Sequence, residues 1–443
     1  MSSSETIPPP GLLVITTSGG GGHLQAANAK ILEEQARTCP PSIFVYDLLQ
    51  HAGGKWLGWF MIHFIWNKAQ RKGSVKGLEL WLSLVPLFDI LFWLPVFCQI
   101  LWRLFRYDIT QVVDTQPLCL SAILHAIRVY SFFKKRNLLL EKVLTELPTS
   151  YATYFLKPIK RLSEKSRSLV RLYSTTPLLK EGESPQAFWD AFTGLPLQHI
   201  SYEGLPIRPT FKNYHAKKLS QESLTLHIQQ ATAHEKSVLQ KILDITKKPL
   251  PLHFDSLILN ITLMPQDVVT TLMLGSQTVQ EATLHYVEEF IKLMQHLENP
   301  TSHYYLFVFC SPTTSPSLQE KVCDHILQTK DFPPHLTIIP MSPQKESVVA
   351  PLYFRSHMTI TKSGGITAME LLAVAQGKIL IHHDEQKSSL EKLLSYTPLS
   401  KSLSENGMPK WEYGNATYLE KHKNAKLVTP SKLLSTIKPY FCL

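Results

Sequence analysis

The feature that most constrains the fold is a short apolar run that stops at four consecutive glycines. Residues 11–17, GLLVITT, are rich in β-branched side chains, which predicts a buried strand. The loop SGGGGH follows at residues 18–23, and the segment LQAANAKILEEQ after it is rich in helix formers. A second strand-like run, SIFVYDLL, occupies residues 42–49. This order predicts a right-handed parallel βαβ unit with the glycine loop at the carboxyl edge of the sheet.

A second series of strand-like and helix-like segments begins after the middle of the chain. Its strand-like runs are LILNIT at 257–262, YYLFVFC at 304–310, LTIIPM at 336–341, MTITKSGG at 358–365 and KILIHH at 378–383. The pattern predicts an α/β protein with two Rossmann-like domains. We expect an N-terminal domain at 1–205 with an apolar insertion at 56–106, a linker and helix at 206–250, and a C-terminal domain at 251–443.

The composition indicates which kinds of binding partner and which cell compartment suit this chain. The 443 residues carry a net charge of +10, which favours anionic partners such as acidic lipid head groups and nucleotide phosphates. No zinc-finger, recognition-helix or aromatic RNA-binding pattern is visible, so nucleic acid is not an expected partner. The six cysteines form no CxxC pair, and the first residues do not resemble a secretory signal. Both features fit a protein of a reducing compartment best.

The segment at 56–106 is far more apolar than the rest of the chain. Between residues 80 and 102 the only charge is Asp89, and this stretch is long enough to cross a bilayer. Two prolines interrupt it, however, and the tryptophans of the chain are concentrated in this segment. These features favour a segment that lies in the plane of a membrane surface. A membrane span and a helical hairpin buried in protein remain alternatives.

The glycine loop by itself permits several interpretations. Glycines between a strand and a helix let a ligand approach the backbone, but they also suit a tight turn. A dinucleotide site is another alternative, because Asp47 ends the next strand where a ribose-binding acid could sit. The spacing is not GxGxxG, and such a site would not need His23. As a neutral imidazole at the mouth of the loop, His23 is a candidate general base, although a lone histidine is more often structural.

A second strand–glycine–helix motif, TKSGGITAME at residues 361–370, is more specific. Free amides at the start of its helix, together with the hydroxyl of Thr367, suit a diphosphate. Glu370, one turn later, can accept two ribose hydroxyls. The alternative is a helix whose acidic residue merely complements the helix dipole, but the combination of residues exceeds what capping requires.

Three blocks of sequence resemble glycosyltransferase family 28. They are GGGHLQAANA at residues 20–29, GLPIRPTF at residues 204–211 and ITKSGGITAMEL around the second motif. The resemblance is to monogalactosyl- and glucosyl-diacylglycerol synthases, and more distantly to the peptidoglycan lipid-linked N-acetylglucosaminyl transferase. VLTELPT at residues 143–149 is a weaker match, because the family usually has TD where this chain has Thr145-Glu146. DTQPL at residues 114–118 is another weaker match.

The resemblance implies a GT-B fold, in which two Rossmann-like domains with parallel sheets face each other across a cleft. It implies a hexosyltransferase that moves a hexose or N-acetylhexosamine from a UDP-sugar to a lipid such as diacylglycerol. It implies no cofactor besides the UDP-sugar as donor substrate, and no metal in the active site. We accordingly expect a bacterial peripheral membrane protein that works on the cytoplasmic face of an anionic membrane.

The resemblance also implies roles for individual residues. The implied catalytic residues are His23 and Glu146. The implied acceptor-binding residues are Gly20, Gly21 and Gly22. The implied donor-binding residues are Lys362, Gly364, Gly365, Thr367, Glu370 and, from a looser match, Gln386.

Two departures from the family pattern motivate an alternative function. The strand that we expect to open the C-terminal domain runs into NITLMP at residues 260–265, where relatives have a glycine-rich loop. After the next strand the chain has CSPTT at residues 310–314 instead of the G-[RK]-N turn that relatives often have. A degenerate GT-B protein with only a binding role is therefore an alternative. A nucleotide-dependent oxidoreductase is disfavoured, because it would leave Glu370 without a role.

Overall fold

The structure, a computed structural model, describes residues 10–18, 21–52, 75–202, 206–214, 222–245, 252–275, 279–297, 300–311, 316–383, 404–405 and 407–438. Two predicted site residues, Gly20 and Gln386, lie outside these ranges. The same holds for residues 56–74 of the predicted apolar insertion.

The N-terminal half forms a six-stranded parallel sheet with the strand order β2-β1-β3-β4-β5-β6. All six residues of the first strand are buried, as expected for a parallel sheet that helices cover on both faces. The strands are β1 (Gly11–Thr16), β2 (Ser42–Asp47), β3 (Ile109–Asp114), β4 (Leu140–Val143), β5 (Val170–Tyr173) and β6 (Ile200–Ser201). The helices are α1 (Gly21–Gln35), α2 (Leu48–Ala52), α3 (Val75–Ser83), α4 (Val85–Leu91), α5 (Trp93–Arg106), α6 (Leu120–Lys134), α7 (Thr153–Lys160), α8 (Glu164–Arg167) and α9 (Pro185–Phe192), with a 3₁₀ turn at Leu197–His199.

A small antiparallel sheet, with the order β7-β9-β8, precedes the C-terminal parallel sheet. Its strands are β7 (Leu224–Gln229), β8 (Leu252–Asp255) and β9 (Ile258–Leu263), and the helices α10 (Pro209–Lys212) and α11 (Ala233–Ile245) belong to the same part of the chain. The expectation that LILNIT opens the parallel series was therefore wrong. Burial alternates along β9, which is the pattern of a strand with one face on the core.

The C-terminal half forms a second six-stranded parallel sheet with the order β12-β11-β10-β13-β14-β17. The strands are β10 (Val268–Met273), β11 (Tyr304–Phe309), β12 (Leu336–Met341), β13 (Met358–Thr361), β14 (Lys378–His382) and β17 (Lys426–Val428), and a hairpin of β15 (Ser404–Glu405) and β16 (Met408–Pro409) lies apart from them. The helices are α12 (Gln280–Gln295), α13 (Leu318–Gln328), α14 (Glu346–Arg355), α15 (Gly365–Val374), α16 (Lys410–Lys423) and α17 (Leu433–Ile437), with a 3₁₀ turn at Pro430–Lys432. If these six strands are renumbered 1 to 6 along the chain, their order is 3-2-1-4-5-6, which is the strand order of the Rossmann fold.

Helix α16 joins the two halves. Trp411, near its start, packs into the hydrophobic core of the N-terminal sheet, whereas Leu419 packs into a core of the C-terminal half. The buried carboxylate of Glu79 on α3 accepts hydrogen bonds from the Lys410 backbone N–H (2.5 Å) and from the Tyr154 hydroxyl (2.9 Å). The start of α16 is therefore held by the N-terminal half, and its end by the C-terminal half.

The described part of the apolar segment, residues 75–106, forms the helices α3 to α5, with an inner and an outer face. Val96, Ile100 and Leu104 of α5 are buried, and α5 packs along α6. The outer face of α4 and the start of α5 exposes large apolar side chains, namely Leu84, Leu87, Ile90, Leu91 and Leu94. We call these five residues the apolar ridge. Among the described residues, no single helix has the length and apolar character of a membrane span. By these two criteria α4 and α5 qualify only together, with a 62° bend between them.

Candidate functional site

A cavity of about 280 Å³ lies between the two parallel sheets. From the N-terminal half it is lined by residues that follow the carboxyl ends of strands, among them Thr17, Pro117 and Thr145. From the C-terminal half it is lined in the same way by residues that include Leu274, Cys310 and Lys362. Ligands of open parallel sheets bind at such edges, where the strand order reverses. The structure thus confirms the predicted GT-B fold, two Rossmann-like domains with parallel sheets that face each other across a cleft.

The described end of the first glycine loop lies at one wall of this cavity. Gly21 and Gly22 begin α1 and line the cavity. The carboxylate of Asp47 accepts hydrogen bonds from the backbone N–H groups of Ser18 (3.0 Å) and Gln50 (3.2 Å). Asp47 therefore holds the loop and the start of α2, which gives it a structural role in place of the ribose-binding role that a dinucleotide site would require.

His23 lies on the first turn of α1 and faces the cavity. Its Nδ1 is 2.7 Å from the carbonyl oxygen of Thr115 and 3.2 Å from the hydroxyl oxygen of Thr145. Since a carbonyl oxygen can only accept, Nδ1 carries the proton and Nε2 is the basic nitrogen. Burial lowers the pKa of His23 to about 4, against the opposing effect of the bond to Thr115, and the Lys142 ammonium lowers it further. The imidazole is therefore neutral at neutral pH.

Glu146 also lines the cavity, and its carboxyl group keeps its proton to a higher pH than an ordinary glutamate does. Its carboxyl group is buried and accepts a hydrogen bond from Nδ2 of Asn415 on α16 (2.5 Å). Burial raises its pKa to about 8, which the Asn415 bond opposes and nearby Glu412 reinforces. At neutral pH Glu146 is accordingly a neutral acid, able to donate a hydrogen bond or a proton rather than to act as a base.

The second glycine motif forms the opposite wall. Gly364 is the N-cap of α15, and Lys362, Gly364, Gly365 and Thr367 all line the cavity. The N-cap glycine has no side chain to cap this helix, and among the described residues a Cβ atom at Gly364 would meet nothing within 4 Å. The first amides of α15 therefore border open space, which is the geometry of an anion site.

Gly365 has a structural role besides lining the cavity. A Cβ atom there would lie 1.8 Å from the carbonyl oxygen of Thr145 and 2.6 Å from Oε2 of Glu146. The start of α15 is therefore in direct contact with the loop after β4 of the other half. Only glycine permits this approach, so this residue sets the distance between the two walls as well as lining the cavity.

Glu370 is buried at the edge of the cavity and paired with Arg208. The Nε and Nη2 atoms of Arg208 donate to the two carboxylate oxygens of Glu370, at 2.7 and 2.9 Å. Such a bidentate pair fixes both side chains. The burial that raises the pKa of Glu370 is opposed by this guanidinium. Arg208 belongs to the GLPIRPTF block and lines the cavity, yet it was not among the predicted site residues.

Gly275 is a second cavity residue that the sequence interpretation missed. It follows β10, has a positive φ of 83° and lines the cavity. The absence of a glycine after the opening strand of the C-terminal domain was therefore a wrong inference, because that strand is β10 and not the run that ends at NITLMP. The signal was present in the sequence as LGS at residues 274–276, directly after the β-branched run VVTTLM. Cys310 and Ser311, after β11, line the cavity without a glycine turn.

The lining of the cavity combines polar and apolar groups. The polar groups include those of the α15 motif together with Arg208. An apolar part of the lining comes from helices α2, α3, α4 and α7, the loop before α6 and the start of α16, and we call it the apolar end of the cavity; its residues are Leu49, Leu78, Leu82, Val85, Phe88, Leu118, Phe155 and Trp411. His23 and Glu146 also line the cavity. No group of three or more His, Cys, Asp or Glu side chains suited to a metal ion occurs in the described part of the chain.

Comparison with known proteins gives weak similarities only. No protein-family model matches the chain. No curated protein matches it either. Three solved structures illustrate the similarity at the level of the fold. They are MurG of Acinetobacter baumannii (11% identity, 98% of this chain and 90% of that chain covered, TM-score 0.41), UDP-GlcNAc 2-epimerase from Neisseria meningitidis bound to UDP-GlcNAc (13%, 95% and 95%, 0.40), and UGT89C1 of Arabidopsis thaliana complexed with UDP-L-rhamnose (12%, 99% and 100%, 0.43). At these identities and TM-scores they assign no activity to this chain.

Proposed function

We propose that the chain transfers a hexose or N-acetylhexosamine from a UDP-sugar to the hydroxyl group of a lipid such as diacylglycerol, with inversion at the sugar carbon. The observation that carries this proposal is the cavity itself. It brings a neutral histidine, the free amides of a helix start and an apolar wall into one space between two Rossmann-like domains. A transfer from a nucleotide-sugar to a lipid needs one polar and one apolar compartment that meet at the reacting atoms.

On the donor side, the uncapped start of α15 supports a role in binding the diphosphate. Its free amides and the positive end of the helix dipole favour an anion, and Thr367 and Lys362 line the same space. Stabilisation of the departing UDP is the larger part of catalysis in such a transfer. The ribose would hydrogen-bond to Glu370 and would replace one of the two bonds that Arg208 makes to this carboxylate.

On the acceptor side, His23 is the proposed general base. Its Nε2 would take the proton of the lipid hydroxyl while the hydroxyl oxygen forms a bond to the sugar carbon and the bond from that carbon to UDP breaks. The low pKa of His23 keeps Nε2 unprotonated before the reaction. A bound diphosphate would raise this pKa towards neutrality, because an anion stabilises the imidazolium. Glu146, a neutral acid, would donate a hydrogen bond to the sugar or to the leaving group.

The apolar end of the cavity and the apolar ridge support a lipid acceptor. Both belong to the same short stretch of chain, since α3 and α4 line the cavity and the ridge lies on the outer face of α4 and α5. Exposed basic residues, among them Arg106 and Lys135, lie at the ends of α5 and α6. We propose that this surface lies on an anionic membrane, as in a bacterial peripheral membrane protein on the cytoplasmic face.

A second candidate function is a binding role without turnover. The observation that favours it is the Arg208–Glu370 pair, which engages both carboxylate oxygens that the ribose would use. If the pair never rearranges, donor binding is weak. The presence of Gly275 after β10 counts against this candidate, because it restores the glycine position that a donor loop needs.

The proposal is tested by measuring sugar transfer from UDP-hexoses and UDP-N-acetylhexosamines to liposomes that contain diacylglycerol, and separately to liposomes that contain a polyprenyl phosphate. We expect a glycolipid product with one UDP released per sugar transferred. His23→Ala should lower kcat by about 10² or more, the size of general-base catalysis, without changing the rise in melting temperature that UDP causes. Glu370→Ala should abolish that rise.

The control is His296→Ala, which removes an exposed imidazole at the end of α12 in the C-terminal half. It should leave both transfer and UDP binding unchanged. Binding of UDP without transfer to either lipid, with any of the sugars, would establish the non-catalytic candidate. Absence of UDP binding as well would remove both candidates.

A further inference from the structure

A buried polar network lies directly behind His23, at the end of β3. Asp114, Thr115 and Gln116 are each at most 1% exposed. The backbone N–H of Gln116 donates to Oδ1 of Asp114 (3.1 Å), and the Gln116 side chain bonds both backbone groups of Leu118. This turn is therefore closed by its own side chains, and its backbone has one fixed shape.

Lys142 on β4 reaches into the same turn. Its Nζ donates to Oδ2 of Asp114 (2.7 Å) and to the carbonyl oxygen of Gln116, and its side chain is only 5% exposed. In the sheet register Lys142 lies directly beside Asp114. Burying two charges costs more desolvation free energy than a surface pair does, and an apolar pair of the same volume is often as stable. Stability alone therefore does not account for this pair.

The turn is hydrogen-bonded to His23 through Thr115. The Thr115 carbonyl oxygen accepts the Nδ1–H of the His23 ring (2.7 Å), and the Thr115 hydroxyl lies 3.1 Å from the His23 carbonyl oxygen. Thr115 thus contacts both the ring and the backbone of His23, and the Thr145 hydroxyl lies 3.2 Å from the same ring nitrogen. The Thr115 N–H is bonded to the Ile15 carbonyl of β1 (3.0 Å), and Lys142 bonds both chain neighbours of Thr115, so it contributes to the orientation of the Thr115 carbonyl.

We propose that Lys142 and Asp114 are positioning residues for His23, which hold the Thr115 carbonyl against Nδ1 and so keep Nε2 as the basic nitrogen that faces the cavity. For catalysis, this role rests on the proposed transferase function. The tautomer itself does not depend on that function. Without a fixed acceptor at Nδ1, the ring would turn or place its proton on Nε2, and Nε2 could no longer accept a proton.

The test uses the full-length double variant Lys142→Met/Asp114→Asn, which removes both buried charges and retains the approximate volume of each side chain. The single variant Lys142→Met would leave the buried Asp114 carboxylate without its cationic partner, which endangers folding. The matched control is Lys292→Met/Glu288→Gln, which removes an exposed ion pair on α12 (2.8 Å).

The first measurement is the ¹⁵N spectrum of histidine-labelled protein, in which the ring signals of His23 are identified by their loss in His23→Ala. We expect the Nδ1–H form in wild type and in the control. The double variant should show a mixture with a substantial Nε2–H fraction. A double variant that is folded and keeps the wild-type His23 signature would overturn the proposal, and so would a wild type in the Nε2–H form.

The second measurement is the kinetics of transfer. The double variant should lose at least tenfold in kcat, with the KM for the UDP-sugar unchanged, because the donor side is not altered. An equal loss in the control, or a loss confined to KM, would contradict a positioning role. If the wild type transfers no sugar at all, the proposed function fails, and the ring spectrum still decides whether Lys142 and Asp114 set the tautomer.

Discussion

Two adjacent glycines show how differently the same residue type can be constrained. A Cβ atom at Gly364 would meet open space, whereas one at Gly365 would overlap the Thr145 carbonyl oxygen. Gly365→Ala should therefore force the two halves apart and lower the free energy of unfolding by about 1–3 kcal/mol. Gly364→Ala, at a φ of −59°, should leave the stability of the free protein nearly unchanged. Urea unfolding of both variants measures the difference, and equal stabilities would contradict the close contact at Gly365.

The Glu146 carboxyl predicts a distinct dependence of stability on pH. Its pKa is raised from the ordinary value of 4.5 to about 8 by burial. Between these two values the folded protein keeps a proton that the unfolded chain releases, so the free energy of unfolding falls as pH rises through this window. The slope from this one group is at most about 1.4 kcal/mol per pH unit.

Glu146→Gln isolates this effect, because glutamine has the shape of the protonated acid and does not titrate. The variant and the wild type should unfold with similar free energies near pH 5. At pH 8 the variant should be the more stable of the two. If the free energies of unfolding of the variant and the wild type change in parallel from pH 5 to pH 8.5, the folded protein does not keep this carboxyl group protonated.

At the scale of helices and strands, the apolar ridge predicts membrane binding. The double variant Ile90→Asp/Leu94→Asp replaces side chains that are 74% and 61% exposed, so the fold should not be affected. Removing apolar contacts and adding two negative charges should weaken binding to anionic liposomes at least tenfold in a flotation assay. Leu327→Asp, at an exposed position on α13, is the control and should bind as wild type does. Equal binding of all three proteins would place the membrane surface elsewhere.

Local patterns in the sequence were sufficient for some elements and insufficient for others. β1 and β13 each end at a glycine motif that opens a helix, so a window of some twenty residues contained the whole signal. β9 and β10 are both short β-branched runs, and their period alone does not tell an antiparallel strand from a parallel one. The difference lies in the strands with which they pair. β9 pairs with β7 and β8, whereas β10 pairs with β11 and β13.

The candidate site was predictable only where its residues belong to one motif. His23 and the α15 residues closely follow β1 and β13, so topology places each of them at the carboxyl edge of its own sheet. Arg208 and Glu370 are 162 positions apart, and Glu146 and Asn415 are 269 apart. A contact between such residues depends on how the two halves pack. No local pattern encodes it, and the bidentate pair and the neutral Glu146 therefore emerged only from the structure.

At the scale of the whole molecule, the two halves are interlocked more closely than two domains on a linker. Asn415 of α16 bonds the Leu147 backbone N–H, the Glu146 carboxyl and the Ser363 carbonyl, and it is fully buried. We expect a single cooperative thermal transition in calorimetry, which UDP shifts as a whole. Two transitions, only one of which moves with UDP, would show that the halves unfold independently.

Helix α16 also has a consequence for the order of folding on the ribosome. The N-terminal sheet is synthesised first, yet the indole of Trp411 that completes its core and the Lys410 N–H that pairs with buried Glu79 are synthesised near the end of the described chain. The N-terminal half, which is synthesised first, therefore cannot complete its core until α16 has been synthesised. Until then the site that Trp411 fills is an exposed apolar surface, and Glu79 has its bond from the Tyr154 hydroxyl but not the one from Lys410. Exposed apolar surface of this kind makes a folding intermediate prone to aggregation.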